Sequence, residues 1–154
     1  MCSHWLLIGI GNEYRSDDGV GLVVARETHE KLIPLVTVRE ESGEGAALME
    51  AWQGFQNVIL VDAVSSGAMS GTIFRIDANK ETVPTKFFHY STHAFSVAEA
   101  IELARAMNTL PPNIVVYGIE GMNFAAGTTI STSVQKAAKQ VIKQIVTDAE
   151  GVTR

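Results

Sequence analysis

Two carboxylates and an imidazole hold most of the chemistry this chain can offer: Asp18 with its neighbour Asp17, Asp62, and His93. Asp17 and Asp18 follow the apolar run Trp5-Leu6-Leu7-Ile8-Gly9-Ile10 and its Gly-Asn loop. Asp62 ends the run Val58-Ile59-Leu60-Val61, and His93 stands just before a helix that Ser96 opens. In an open α/β sheet, ligands bind in the crevice beyond the carboxyl ends of the strands, so these positions can converge. Two carboxylates and one imidazole would make an O,O,N set suited to a borderline divalent cation such as Ni2+ or Zn2+. Carboxylates sharing a site would also couple in titration, although Asp62-Ala63-Val64 is not the Asp-Thr/Ser-Gly turn of pepsin-like enzymes.

Each residue has a plainer role to weigh. One of Asp17 and Asp18 is expected to cap the following helix, whose free N–H groups and dipole favour a carboxylate. A histidine ahead of a helix is more often structural than a ligand. Asp62 points to function, because a carboxylate directly after an apolar strand sits at a buried edge where unpaired charge is costly. His4, His29 and His89 read as surface or loop residues and take no role.

Other chemistries are excluded by what is missing. Gly9-Ile10-Gly11-Asn12-Glu13-Tyr14 begins like a dinucleotide fingerprint, but Tyr14 stands where the third glycine belongs. The chain has no G-x-x-x-x-G-K-[ST], no H-E-x-x-H and no G-x-S-x-G, which argues against a P-loop NTPase, a zincin and a common serine hydrolase. Cys2 is the only cysteine, so an intramolecular disulfide or a thiolate zinc site is ruled out and a reducing cytoplasm is the expected compartment. Seventeen acidic against 12 basic side chains leave a net charge of -5, which advertises no phosphate-neutralising surface and no nucleic-acid partner. No stretch approaches the ~20 apolar residues that span a bilayer, and Trp5–Ile10 lacks the flanks of a signal peptide, so no membrane partner is expected.

The elements that must position these residues follow from hydrophobic period. Trp5–Ile10 has no helical period and suits a strand buried on both faces of a parallel sheet. Val20, Val23, Val24 and Leu32 mark an amphipathic helix closed off before Pro34. Strands are predicted at 35–38 and 58–61, with a helix over 46–52 between them. A further strand at 71–76 is reached through the brief Ser-Gly-rich link 65–70, which favours an antiparallel neighbour. Ser96 with Glu99 resembles a capping box, and Val97, Ala100, Ile101 and Ala104 then share one helical face. The last strand is predicted at 113–117. Thr132 with Gln135 suggests a second capping box before the final helix, whose tail is expected to fray after Asp148. The aperiodic stretch 77–92, with Pro84 and Phe87-Phe88-His89-Tyr90, is the candidate mobile or site-lining loop. Alternating strand and helix predict an open α/β sheet with helices on both faces, and 154 residues are enough for a single domain over 1–154.

The segment Gly9-Ile10-Gly11-Asn12-Glu13-Tyr14-Arg15-Ser16-Asp17-Asp18-Gly19-Val20-Gly21 resembles the opening motif of the nickel–iron hydrogenase maturation endopeptidases. The later order agrees along almost the whole chain: an Asp closing the third strand (Asp62), a His ahead of a helix (His93), and a Tyr-Gly-Ile strand end before the last helix. The resemblance implies a three-layer α/β/α sandwich whose five-stranded sheet is mostly parallel with one antiparallel strand. It also implies an endopeptidase, classed as aspartic-type, that clips the C-terminal extension from a hydrogenase large-subunit precursor once nickel is in place. Nickel is then supplied by the precursor rather than held tightly by the resting enzyme. Carried over by position, the residues that recognise nickel and serve catalysis are Asp18, Asp62 and His93, and the protein is expected to be a cytoplasmic monomer. Three departures are visible. Asp18 stands where the family often has Glu, Ser42-Gly43-Glu44-Gly45 replaces a Gly-Gly-Thr-x-Gly stretch, and the Pro that commonly follows the last strand is missing around Glu120-Gly121.

Rivals of another class are a phosphoacceptor receiver and a non-catalytic binding module of similar fold. A receiver places its acidic pair immediately after the first strand and a lysine at the end of the last. This chain delays the pair to Asp17-Asp18 and ends that strand in Val116-Tyr117-Gly118-Ile119.

Overall fold

The computed structural model describes residues 4–32, 36–88 and 93–152. The run of apolar residues at the start forms β1 (Trp5–Ile10), buried at every position. A 3-10 turn at Ser16–Gly19 leads into α1 (Val20–Leu32), followed by β2 (Val36–Glu41), α2 (Gly45–Trp52) and β3 (Asn57–Val64). Next come β4 (Ile73–Asp77), a second 3-10 turn (Thr85–Phe88), α3 (Val97–Ala106), β5 (Asn113–Glu120) and α4 (Thr132–Val152). Pro34, Leu35, His89, Tyr90 and Thr92 lie outside the described residues, as does Cys2. Among the described residues no helix is long and apolar enough to cross a membrane.

The five strands form one sheet in the order β2-β1-β3-β5-β4. All neighbours are parallel except β4 and β5. Helices cover both faces, as the alternation of elements requires. On one face Leu6, Ile8, Leu60 and Val64 pack against Leu48 of α2 and Ile101 of α3. On the other, Leu7, Ile59, Val61 and Tyr117 pack against Val24 of α1 and Val141 of α4. Ser96 caps α3 as the spacing predicts, with the Glu99 carboxylate accepting from its N–H and its hydroxyl at 2.9 and 2.7 Å.

Four local expectations are corrected. The link after β3 does reverse direction, yet β4 pairs with β5 and not with β3, because β5 is inserted between them. Asp62 does not end β3, which runs on through Ala63 and Val64, with Asp62 opposite Gly118 of β5. Thr132 is the first residue of α4 rather than its cap, and the Gln135 amide donates to the carbonyl of Ile130 at 2.7 Å. The end of α4 stays helical to Val152, since Asp148 accepts from Tyr117 and Arg75 and Ala149 is fully buried.

The glycine spacing of the opening segment has a steric cause. A Cβ at Gly21 would lie 2.3 Å from the Ile10 carbonyl oxygen and 2.4 Å from that of Val61, and one at Gly9 would lie 2.3 Å from the Gly21 oxygen. The first turn of α1 therefore rests directly on the backbones of β1 and β3. Gly21→Ala is expected to cost about 3 kcal/mol, at the upper end of overpacking, because rigid backbone must move. Urea unfolding checks this, and wild-type stability in the variant would show that the helix can slide off the strands at little cost.

Candidate active site

The carboxyl ends of β1, β2 and β3 open into a pocket lined by Asp18, Asp62 and His93, with Asn12, Arg15 and Gly43 beside them. All the proposed ligand positions thus reach one crevice, from three different parts of the chain.

Asp62 belongs to the central strand and is only 8% exposed, between Val61 and Ala63, which are also buried. Burial holds its carboxyl well above the usual range, and the negative charge of Asp18 pushes it the same way. The Ala63 N–H offsets part of this. Asp62 is therefore the residue most reluctant to ionise here, as expected for two carboxylates facing one cavity.

Asp18 sits in the 3-10 turn, half-buried, with its Oδ2 accepting the Asn12 N–H at 3.0 Å. Burial raises its pKa, while the Asn12 N–H and the Arg15 charge act against that rise. Gly11 makes the arrangement possible: its φ is +151° and a Cβ there would lie 1.9 Å from the Asp18 carbonyl oxygen. The end of β1 is thereby held against the turn that bears Asp18.

Asp17 has a different task from the cap expected of one member of the pair. It is fully buried, and its carboxylate accepts the N–H groups of Met122, Asn123 and Ser131 at 2.8, 3.0 and 2.7 Å, plus the Ser131 hydroxyl at 2.9 Å. Burial raises its pKa, but these donors together outweigh that effect, and its pKa ends below the usual value. Asp17 ties the β1–α1 loop to the β5–α4 loop. Ser16 reinforces the seam, with positive φ, its N–H bonded to the Gly127 carbonyl and its hydroxyl to that of Ala125.

His93 is half-buried ahead of α3, on the side of the pocket formed by Gly43. A Cβ on Gly43 would come within 4.0 Å of its Cδ2. Glu44 caps α2 by accepting from the N–H groups of Ala46 and Ala47 at 3.1 and 2.8 Å, which with the nearby His93 charge lowers its pKa. The divergent Ser42-Gly43-Glu44-Gly45 stretch thus still supplies a pocket wall and a helix cap. Among the described residues, no group of three or more His, Cys, Asp or Glu side chains is arranged to hold a metal ion. The charge of Asp18 acts on Asp62, and His93 lines the same pocket.

Sequence reasoning gave no role to Arg15, Phe87, Phe88 or Phe124 as pocket-lining residues, apart from naming 77–92 as a site-lining stretch. Phe87 packs on Phe74 of β4 with ring centroids 4.8 Å apart, so the aromatic wall is anchored to the sheet.

The HycI family model, described as hydrogenase maturation protease, matches residues 26–148. Asp62 and His93 fall inside that span, and Asp17 and Asp18 precede it. The fold is similar to the hydrogenase maturating endopeptidase HybD from E. coli, at TM-score 0.78 and 15% identity, covering 96% of this chain and 93% of that one. It is similar to the [NiFe] hydrogenase maturation protease HycI from Thermococcus kodakarensis KOD1, at TM-score 0.72 and 22% identity, covering 99% and 94%. A solution structure of an endopeptidase from Escherichia coli superimposes with TM-score 0.80 at 19% identity, covering 94% and 90%. No curated protein matches the sequence.

Proposed function

This chain belongs to the hydrogenase maturation protease family, and we propose that its substrate is a nickel–iron hydrogenase large-subunit precursor. In this reading it removes the precursor's C-terminal extension after nickel insertion, and Asp18, Asp62 and His93 engage nickel already seated in the precursor. We take the cytoplasm as its compartment and the monomer as its working form.

The observation that carries the reading is the coupled pair Asp18 and Asp62 in the pocket that His93 also lines. A carboxyl whose ionisation is opposed by burial and by a neighbouring negative charge is a poor ligand for a free cation. A divalent cation delivered by a docked protein reverses the unfavourable charge at that spot and brings its own remaining ligands. Two carboxylates and an imidazole lining one pocket offer such a cation an O,O,N set. Nickel so engaged would fix the position of the cleavage site and polarise the scissile carbonyl or the attacking water. Asp18, shorter than Glu by a methylene, reaches less far into the pocket, and its anchor on the Asn12 N–H sets its direction.

Mass spectrometry of the cognate precursor tests the proposal. Nickel-loaded precursor incubated with this protein is expected to lose one discrete C-terminal peptide, and nickel-free precursor to stay intact. An uncut precursor verified to contain nickel would overturn the peptidase reading for that substrate, and equal cleavage of both forms would remove the nickel gate.

A further inference from the structure

Among the described residues, the strongly exposed large apolar side chains are Tyr14, Met69, Leu103, Met107 and Met122. Isolated exposed apolar residues need no explanation. Three of these sit on loops at one end of the sheet. Tyr14 lies between β1 and α1, Met69 between β3 and β4, and Met122 between β5 and α4. All three loops leave the sheet at the edge where the pocket opens.

Hydrogen bonds join the three loops into one rim. The Gly127 N–H donates to the Tyr14 carbonyl at 2.9 Å, and the Met122 N–H donates to Asp17. Two residues before Met122, the buried Glu120 carboxylate accepts from the N–H and hydroxyl of Ser66, and its carbonyl accepts the Gly71 N–H at 2.8 Å. The Thr72 N–H closes the same loop on the Met69 carbonyl at 3.0 Å. The backbone is thus tied down while the side chains stand out in water, Tyr14 67%, Met69 83% and Met122 64% exposed.

We infer that Tyr14, Met69 and Met122 form the docking rim for the folded body of the precursor, a reading that rests on the proposed function. Asp62 is only 8% exposed, so a peptide bond attacked there has to enter the pocket, and the protein carrying it then covers the pocket mouth. A tied backbone keeps the ordering cost of that contact low. Tyrosine and methionine are enriched at protein interfaces, and methionine adapts to an irregular partner surface. The partner face is therefore apolar and surrounds the root of the C-terminal segment.

Leu103 and Met107 provide an internal control. They lie at the end of α3, whose beginning at Ser96 and Val97 lines the pocket, so the helix carries them away from it.

The test is steady-state processing of nickel-loaded precursor by wild type, by Tyr14→Ser/Met69→Ser/Met122→Ser, and by Leu103→Ser/Met107→Ser. The rim variant is expected to raise KM by about tenfold or more, equivalent to about 1.4 kcal/mol, with kcat within about twofold of wild type. The α3 variant is expected to keep wild-type values of both. Should the triple change lower the folded fraction, Met69→Ser alone gives the same reading at about threefold in KM. A rim variant with wild-type KM, an equal rise in the α3 variant, or a fall in kcat at constant KM would overturn the docking rim while leaving the peptidase reading intact. Wild type that leaves loaded precursor uncut would remove both.

Discussion

Asp62→Asn is expected to abolish processing and, in the same molecule, to raise thermal stability at neutral pH. The two effects share one cause. Asp62 is buried in the central strand and faces Asp18, so its carboxyl titrates well above the ordinary 3.8. An acid whose pKa is raised by folding opposes folding once the unfolded chain begins to ionise. Below about pH 4 both states carry the proton and the residue is neutral to stability. As pH rises above the unfolded value the penalty grows, and it levels off once pH passes the folded pKa. Asparagine keeps the shape, removes the charge, and can donate a hydrogen bond toward Asp18. The gain over wild type should therefore be near zero in acid and on the order of 1–2 kcal/mol at neutral pH, or a few degrees in Tm. In the proposed role of Asp62, processing is lost because the amide can neither act as an anionic ligand nor exchange a proton as a carboxyl does. Thermal melts across pH, read beside the mass-spectrometric cleavage assay, check both halves. A variant no more stable than wild type at neutral pH would mean that Asp62 is compensated in the folded protein and is not a strained group kept for function.

The same contrast between local and distant causes explains how much of the molecule could be read from sequence. β1 and β3 were readable because only burial on both faces accounts for apolar runs without a period, and every residue of both strands is buried. The Ser96–Glu99 cap was readable because its partners are three residues apart. Placement at strand ends and ahead of α3 was enough to single out Asp18, Asp62 and His93 as residues to examine, and all three line the pocket. What failed was decided by distant chain. A brief link announces that β4 turns back, but nothing in it announces that β5, arriving some 40 residues later, takes the place between. The charged end Arg39-Glu40-Glu41 hides the continuation of β2, which an edge strand tolerates and which Arg26 of α1 stabilises by gripping Glu40 through two bonds of 2.9 Å. Arg15 and Phe124 have no spacing that marks them, since loops bring them to the pocket.

Asp17 shows the largest gap between a local and a tertiary reading, and Asp17→Ala is expected to be among the most destabilising single changes in the protein. By position it resembles a helix cap; by structure it collects donors from residues 105 to 114 positions away. Alanine would leave the Met122, Asn123 and Ser131 N–H groups without their acceptor and open a void where the carboxylate stood. A loss of about 3–5 kcal/mol follows from breaking a cluster of charge-assisted bonds to a buried carboxylate. Asn in place of Asp would present an N–H2 group to donors and recover only part. The sign with pH is opposite to that of Asp62. Because these donors hold the Asp17 pKa below 3.8, its contribution is complete above that value and is lost as pH falls through the folded pKa. The deficit of the variant should therefore be full at neutral pH and shrink in strong acid. Ser131→Ala, which removes one hydroxyl donor and leaves the N–H bond in place, should cost only about 1 kcal/mol. Urea unfolding of the three variants against wild type at neutral and acid pH measures this. Near-wild-type stability in Asp17→Ala would mean that the seam at Ser16 and Gly127 alone holds the loop bearing Asp18 against the β5–α4 loop.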